Sequence, residues 1–256
     1  MSKPLSVAVL VSVGRHPVSG VPRACRGDAV AMALGRRLAG GDLRVIHAGN
    51  RDAPALQDYL ALGAGRIEVL AVADGSDPAG VLTGLLKDTD LILTGSRAEF
   101  GLGSGLLPYR LAHALDRAVV NDVLDLIIER NEARVRQFLP KGKRRAIATP
   151  LPLVAAVHPM ASVLLTYAHA RRINGRIEGI GPAHGSITGH PATWTVEQAP
   201  RRAVPLRAQN NADGYTRMLS FIQSPAKGGI VAFDGSPVDK AQILLSYLRE
   251  HRLVEF

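Results

Sequence analysis

Only one cysteine, Cys25, stands among the 256 residues. That excludes an internal disulfide and any cysteine-based metal site, and Cys25 reads as an inert small side chain. Aromatic residues are scarce at 4%. No apolar run is long enough to cross a bilayer. The opening VAVLV is short and runs into polar residues rather than a small-residue cleavage site, so it reads as a strand and not a signal peptide, with a cytoplasmic location expected and no membrane insertion. There is no HExxH pair and no serine on a nucleophile elbow, and no paired carboxylates are expected near the glycine-rich segment described next. His158, His169, His184 and His190 are scattered. The expectation is a chain with no metal site and no catalytic residues, built to hold a nucleotide and a partner. Acidic residues are the minority, 22 against 31 Lys and Arg, for a net charge of +9. The basic residues gather at Arg15, Arg23 and Arg26, at Lys141 to Arg145, at Arg171, Arg172 and Arg176, and at Arg201 and Arg202. No aromatics interleave with them as a single-strand surface requires, so an acidic protein or cofactor is expected rather than nucleic acid.

What is abundant is Ala, Val, Leu and Gly, arranged around one stretch, DLILTGSRAEFGLGSGLLPYRLAHAL, from Asp90 to Leu115. A bounded apolar run, Leu91 to Leu93, has the length and composition of a buried parallel strand. It stops at Thr94-Gly95, and Gly101, Gly103 and Gly105 follow. Leu106, Leu107, Tyr109, Leu111 and Leu115 then make one helical face. Strand, glycine-rich turn and helix is the order that presents backbone N–H groups to an anion, most often a phosphate, with Ser104 placed to cap the helix or to bond a phosphate oxygen.

The same rhythm runs through the first half. Strands are expected at Val7 to Val13, Leu43 to Ala48, Arg66 to Val72 and Leu91 to Leu93. Helices are expected at Ala29 to Leu38, Ala53 to Leu62 and from Pro78 through Lys87. A fifth short strand is expected at Ala118 to Val120. This is a doubly wound, mainly parallel, Rossmann-like α/β sheet, with expected order 3-2-1-4-5. Its winding reverses between the first and fourth strands. That brings Ser12 to Arg15 opposite Gly95 to Ser104, with Ala48-Gly49 beside them, in a small crevice made basic by Arg15 and Arg97. Leu124 to Glu129, Arg134 to Leu139 and Arg144 to Thr149 read as an antiparallel meander at the sheet edge, and Leu153 to Val157 as a last core strand. From Gly175 to Asn211 no helix or strand period is visible, and Trp194 and Val196 point to an arm laid on a partner. Ser236-Pro237 starts a final helix, Val238 to His251, whose Ile243, Leu244, Tyr247 and Leu248 are expected to be buried. The domain reading is 1–174 for the nucleotide-binding α/β domain and 175–256 for the arm and helix.

The opening VAVLVSVGR, the segment YLALGAGRIEVL after a strand ending in HAG, and DLILTGSRAEFGLGSGLL carry a resemblance. So do TPLPLVAAVHP, YAHARRINGRIE and the ending GGIVAFDGSPVDKAQILLSYLRE. In this order they resemble the beta subunit of electron transfer flavoproteins over most of the chain. The resemblance implies an alpha-subunit partner that holds most of a shared FAD, a structural AMP in the crevice, and electrons accepted from a flavin dehydrogenase and passed downstream. An amine- or betaine-demethylating dehydrogenase is implied in place of the acyl-CoA type, because HPMASVLLTYAHARR lacks the family's usual docking motif. The implied cofactor-binding positions are Ser12, Gly14, Arg15, Ala48, Gly95, Ser96, Arg97, Gly101, Leu102, Gly103 and Ser104. The implied docking anchor is Leu164 or Leu165, and the segment Gly14 to Arg26, with His16, is implied to wall the flavin. The glycine loop departs from the family by being about two residues shorter. The rival reading is a universal-stress-type ATP-binding protein, which shares the sheet and a glycine loop ending in Gly-Ser but needs neither meander nor arm.

Overall fold

The computed structural model describes residues 5–39, 43–72, 78–100, 103–181, 214, 215, 218, 234–250 and 254. The chain divides into two units, Met1–Thr195 and Val196–Phe256.

Within the first unit the elements run in chain order. They begin with β1 (Val7–Val11), β2 (Val13–Arg15), β3 (Pro22–Ala24), α1 (Arg26–Ala39), β4 (Leu43–Ala48) and α2 (Ala55–Leu62). Next come β5 (Arg66–Leu70), α3 (Ala79–Leu86), β6 (Leu91–Gly95), α4 (Leu107–Leu115) and β7 (Ala118–Glu129). The rest are β8 (Glu132–Phe138), β9 (Arg144–Pro150), β10 (Leu153–Val157), α5 (His169–Asn174) and β11 (Arg176–Ile180). Nine strands form one sheet in the order β11-β5-β4-β1-β6-β10-β7-β8-β9. The pairs from β11 through β10 to β7 are parallel, and β7-β8-β9 is the antiparallel meander expected at the edge.

Alternation along β1 shows how two helix layers are served. Val7, Val9 and Val11 pack with Ala29, Met32 and Leu34 of α1 and with Leu56 and Tyr59 of α2. Ala8 and Leu10 pack on the other face with Leu82 and Leu86 of α3 and Leu111 and Ala112 of α4. Strands covered on both faces read as unbroken apolar runs, which is why β1, β6 and β10 are legible in sequence.

Several expectations are corrected. The order 3-2-1-4 holds, but β10 lies between the fourth strand and the segment beginning at Ala118. The register Leu153↔Leu91 through Val157↔Gly95 lets the fully apolar LVAAV fill the interior place. The more polar β7 is displaced outward, and it runs unbroken through Ala118–Glu129, so the expected fifth strand and the first meander strand are one. Arg176–Ile180 is a strand where an aperiodic arm was expected. It pairs in parallel with β5 and places Ile177 against one core layer and Ile180 against the other. An open strand edge supplies the backbone partners that a five-residue segment with weak pattern cannot advertise. The rest of the expected arm, with Trp194 and Val196, lies outside the described residues.

In the second unit, α6 (Pro237–Glu250) starts where expected. Ser236 Oγ accepts from the Asp239 N–H at 3.3 Å while Asp239 Oδ2 accepts from the Ser236 N–H at 2.9 Å, a reciprocal cap ahead of a proline in the first turn. The expected buried face is not buried: Ile243, Leu244 and Tyr247 are exposed and Leu248 is half-buried. Amphipathic spacing marks a face able to be covered, and burial needs a second surface to cover it.

Candidate functional site

The parallel register sets the C-terminal ends of β1, β4 and β6 side by side. β1 lies between the other two, with the return crossing to β6. Ser12, Ala48 and Gly95 therefore meet at one edge of the sheet, as the sequence pattern requires. No group of acidic, histidine or cysteine side chains among the described residues is arranged to hold a metal ion.

The strand ends are held from beneath by Asp28, in the first turn of α1. Its Oδ2 accepts the Ser12 N–H at 2.8 Å and also the Ser12 hydroxyl. Its Oδ1 accepts the Gly95 N–H at 3.0 Å. The approach depends on glycine: a Cβ at Gly95 would stand 2.3 Å from Asp28 Oδ1. Asp28 is only 5% exposed. Burial pushes its carboxyl up to about 6, against the pull of the donors from Ser12 and Gly95. A second buried group completes the knot. Tyr59 of α2 donates its phenol proton to the Ser12 carbonyl at 2.7 Å and accepts the Cys25 N–H at 2.9 Å. Burial raises the Tyr59 phenol well above its ordinary value and pushes the Cys25 thiol up to about 11, so both are neutral. The inert reading of Cys25 holds.

Two consequences alter the expected site. The Ser12 N–H, the Ser12 hydroxyl proton and the Gly95 N–H are all engaged internally, so a phosphate there meets a buried carboxylate in place of free donors. Donors for an anion have to come from the segment after Gly95. Two carboxylates stand near this segment, each held by its own donors: Asp28 under it on Ser12 and Gly95, and Glu99 within it on Arg26 and Arg23.

Glu99 joins two loops. Its Oε1 accepts the Arg26 N–H at 2.9 Å and its Oε2 pairs with Arg23 at 3.0 Å. Gly14 is buried next to it, where a Cβ would come 2.8 Å from Oε2. The Arg15 guanidinium lies 4.1 Å from the centre of the Phe100 ring. The segment Gly14 to Arg26, expected as a loop, is a β-hairpin of β2 and β3, with Gly14↔Arg23 in register. His16 Nδ1 accepts the Ser19 N–H at 3.1 Å at its turn. Three-residue strands, one of them opening on Pro22, have no alternation to read; the pairing and the Glu99 contacts make the hairpin.

The glycine-rich segment folds tightly. Gly103 and Gly105 have φ of 54° and 69°, and a Cβ at Gly105 would stand 2.9 Å from the Ser96 carbonyl. Ser96 is half-buried and Arg97 exposed, while the Arg97 carbonyl faces the Cys25 thiol at 3.8 Å. Gly101 and Leu102 lie outside the described residues. Ser104 does not cap α4. Its Oγ accepts the Leu106 N–H at 3.3 Å, and the helix begins only at Leu107 with no side-chain cap. Leu106 and Tyr109, assigned to the helix's apolar face, are exposed; Pro108, Leu111 and Ala112 are its buried residues. Beside Ala48, His47 is buried and its Nδ1 lies 2.9 Å from the Val11 carbonyl, and burial lowers its pKa.

Leu164 and Leu165 sit away from this edge in sequence, between β10 and α5, and both are exposed, Leu164 at 86%. Met160, Tyr167 and Ile173 are also exposed in this region, close in sequence to Arg171 and Arg172.

Sequence reasoning found the strand ends and missed what links them. Asp28 reads locally only as an acid in the first turn of α1, where a carboxylate suits the helix dipole. Tyr59 lies within the expected helix Ala53 to Leu62 with nothing in the sequence to single it out. Glu99 carried no signal.

The electron transfer flavoprotein domain matches residues 25–178. A curated relative from Chromohalobacter salexigens, an electron transfer flavoprotein subunit beta, is 32% identical over 265 residues, spanning 99% of this chain and 97% of its own length. With the parallel sheet, the meander and the glycine-rich segment in the expected places, this chain belongs to the beta-subunit family of the electron transfer flavoproteins.

Proposed function

We propose that this chain pairs with an alpha subunit and works as an electron-carrying, non-catalytic half of the assembly. It would accept electrons from a flavin dehydrogenase and pass them to a downstream acceptor. The near full-length likeness to an electron transfer flavoprotein beta subunit carries this reading. The universal-stress alternative has no use for the β7-β8-β9 meander that the sheet contains.

In this reading AMP is the nucleotide of the crevice. The chemistry of the residues fits an adenylate bound from above the strand ends: glycines held in left-handed turns, Ser96, Ser104, and the cations Arg97 and Arg15. Ala48 contributes backbone at the rim. Ser12 and Gly95 would serve as a rigid floor, since Asp28 holds their donors. FAD, held mainly by the alpha subunit, supplies the electron-transfer chemistry when bound. This chain's part is to wall the flavin with the exposed hairpin of Arg15 and His16, to exclude water, and to provide no acid or base. The chain beyond β11 is the arm and helix that meet the partner subunit, with the exposed Ile243, Leu244 and Tyr247 as its contact face. Leu164 and Leu165, beside Arg171 and Arg172, dock an acidic dehydrogenase surface; an amine- or betaine-demethylating enzyme fits the departure from the usual docking motif. The location in this reading is the cytoplasm; no helix among the described residues is long and apolar enough to cross a membrane.

The test is to purify the chain with its co-expressed alpha subunit, denature the complex and identify the released nucleotides. Equimolar FAD and AMP per complex is the expected result. A colourless chain that is stable alone and turns over ATP overturns the reading.

A further inference from the structure

The cofactor crevice is floored by a carboxylate. At the ends of β1 and β6, three donors converge on Asp28: the Ser12 N–H at 2.8 Å, the Ser12 hydroxyl, and the Gly95 N–H at 3.0 Å. A fourth link, from Tyr59 to the Ser12 carbonyl at 2.7 Å, holds the Ser12 backbone from its other side. The glycine at 95 is what lets the carboxylate approach. We propose that Asp28 is a positioning residue of the crevice: its carboxylate fixes the orientation of Ser12 and Gly95, and its proton occupancy decides whether both strand ends are held. This rests on the nucleotide reading above.

The physical argument is one of counting donors and acceptors. An ionised carboxylate is acceptor-only and satisfies all three donors. A protonated one carries a hydrogen of its own, which has to find an acceptor among groups that now offer hydrogens. Either the Ser12 hydroxyl turns to accept it, or one backbone N–H loses its partner. The titratable groups facing this site are Cys25 from the turn before α1, Tyr59 from α2, and Glu99 from the segment after β6. Burial keeps the first two neutral, and Glu99 is engaged by Arg23 and the Arg26 N–H. Asp28 itself is poised near neutrality, at about 6, by burial against the donors from Ser12 and Gly95. A change of pH within the range proteins meet therefore alters this floor, and with it Ser96 and Arg97, which follow Gly95 directly.

The test uses the full chain. Backbone amide shifts of Ser12 and Gly95 are followed by NMR between about pH 5 and about pH 8, and AMP affinity is measured by calorimetry at both ends. The two amides are expected to titrate together with one midpoint in the wild type. The titration should vanish in Asp28→Asn and move to higher pH in Ser12→Ala, which removes a donor that stabilises the carboxylate. Because the phosphate of AMP titrates in the same range, affinities are compared between variants at each pH, with adenosine as the probe that lacks the phosphate. The wild type is expected to bind AMP about fivefold or more tightly than Asp28→Asn near pH 8, and equally near pH 5. Asp28→Glu, which keeps the charge, should recover part of the advantage. Amides that do not titrate together, a titration that survives in Asp28→Asn, or an advantage that does not change with pH each overturn the proposal. If AMP binds at no pH, the nucleotide reading is what fails, and the amide titration alone then carries or sinks the positioning role.

Discussion

Tyr59 and Ser12 are 47 residues apart in sequence, yet the phenol of one donates to the carbonyl of the other at 2.7 Å. The bond ties α2 to the end of β1, and the Cys25 N–H donating to the same oxygen at 2.9 Å adds the turn before α1. Tyr59→Phe keeps the ring packing and strips both links, leaving a buried N–H and C=O unsatisfied. A loss of about 1–3 kcal/mol in urea unfolding is expected. An unchanged unfolding midpoint would mean that water or a rearranged backbone replaces the phenol.

Gly95 marks the tightest approach in the site. Gly95→Ala would place a Cβ 2.3 Å from Asp28 Oδ1 and 3.0 Å from the Asp28 backbone nitrogen. Backbone on one side and a pinned carboxylate on the other leave nothing flexible to give way. The variant should lose about 1–3 kcal/mol as an overpacked site. Gly65→Ala, which meets nothing within 4 Å, is the control.

Two buried acids should give opposite pH dependence. Asp28 has its pKa raised from 3.8 to about 6. The folded state therefore binds the proton more tightly than the unfolded chain. Its contribution is fully present below about 3.8 and is lost as pH rises through about 6. Between about pH 5 and about pH 8 this group alone should lower stability by about 1 kcal/mol, and Asp28→Asn should lack that slope in urea titrations.

Glu68 has the other sign. Burial raises its pKa, but Arg44, bonded at 2.6 Å, and Arg66 outweigh burial and bring it below its ordinary 4.5. Its stability is present above about 4.5 and is lost as pH falls further. Glu68→Gln should cost about 1 kcal/mol at neutral pH and show a weaker acid decline than the wild type, read by circular dichroism across the acid range. An equal acid decline in both proteins would remove Glu68 from the account.

Leu164 separates docking from folding. At 86% exposure its replacement by serine should leave the melting temperature within the change expected of about 0.5 kcal/mol. If the segment docks a dehydrogenase, the KM of that enzyme for the assembled carrier should rise about tenfold while the flavin spectrum is unchanged. A melting point that drops sharply would instead place Leu164 in a core.

The residues of β10 announce their strand to the residue, because a strand covered on both faces needs an unbroken apolar run, and such runs are local; β4 keeps its expected bounds although Arg44 and His47 interrupt its apolar pattern. The reversal point between β1 and β6, and with it the meeting of Ser12, Ala48 and Gly95, follows from the alternation of strands and helices alone. Other features had no local signal. The place of β10 inside β7 depends on which of two strands is apolar enough for the interior. β11 exists because the edge of β5 offers backbone partners. The hairpin depends on Glu99, 73 residues beyond the Arg26 amide it accepts. The exposed face of α6 shows the limit most plainly: spacing determines that Ile243, Leu244 and Tyr247 share a side of a helix, and only a covering surface determines whether that side is buried. The floor of the site was decided in the same way. The sequence places an acid in the first turn of α1. That the acid becomes a buried acceptor for three donors, poised to take up a proton, is a matter of desolvation and of the close approach that Gly95 permits. Both arise only when α1 packs against the sheet.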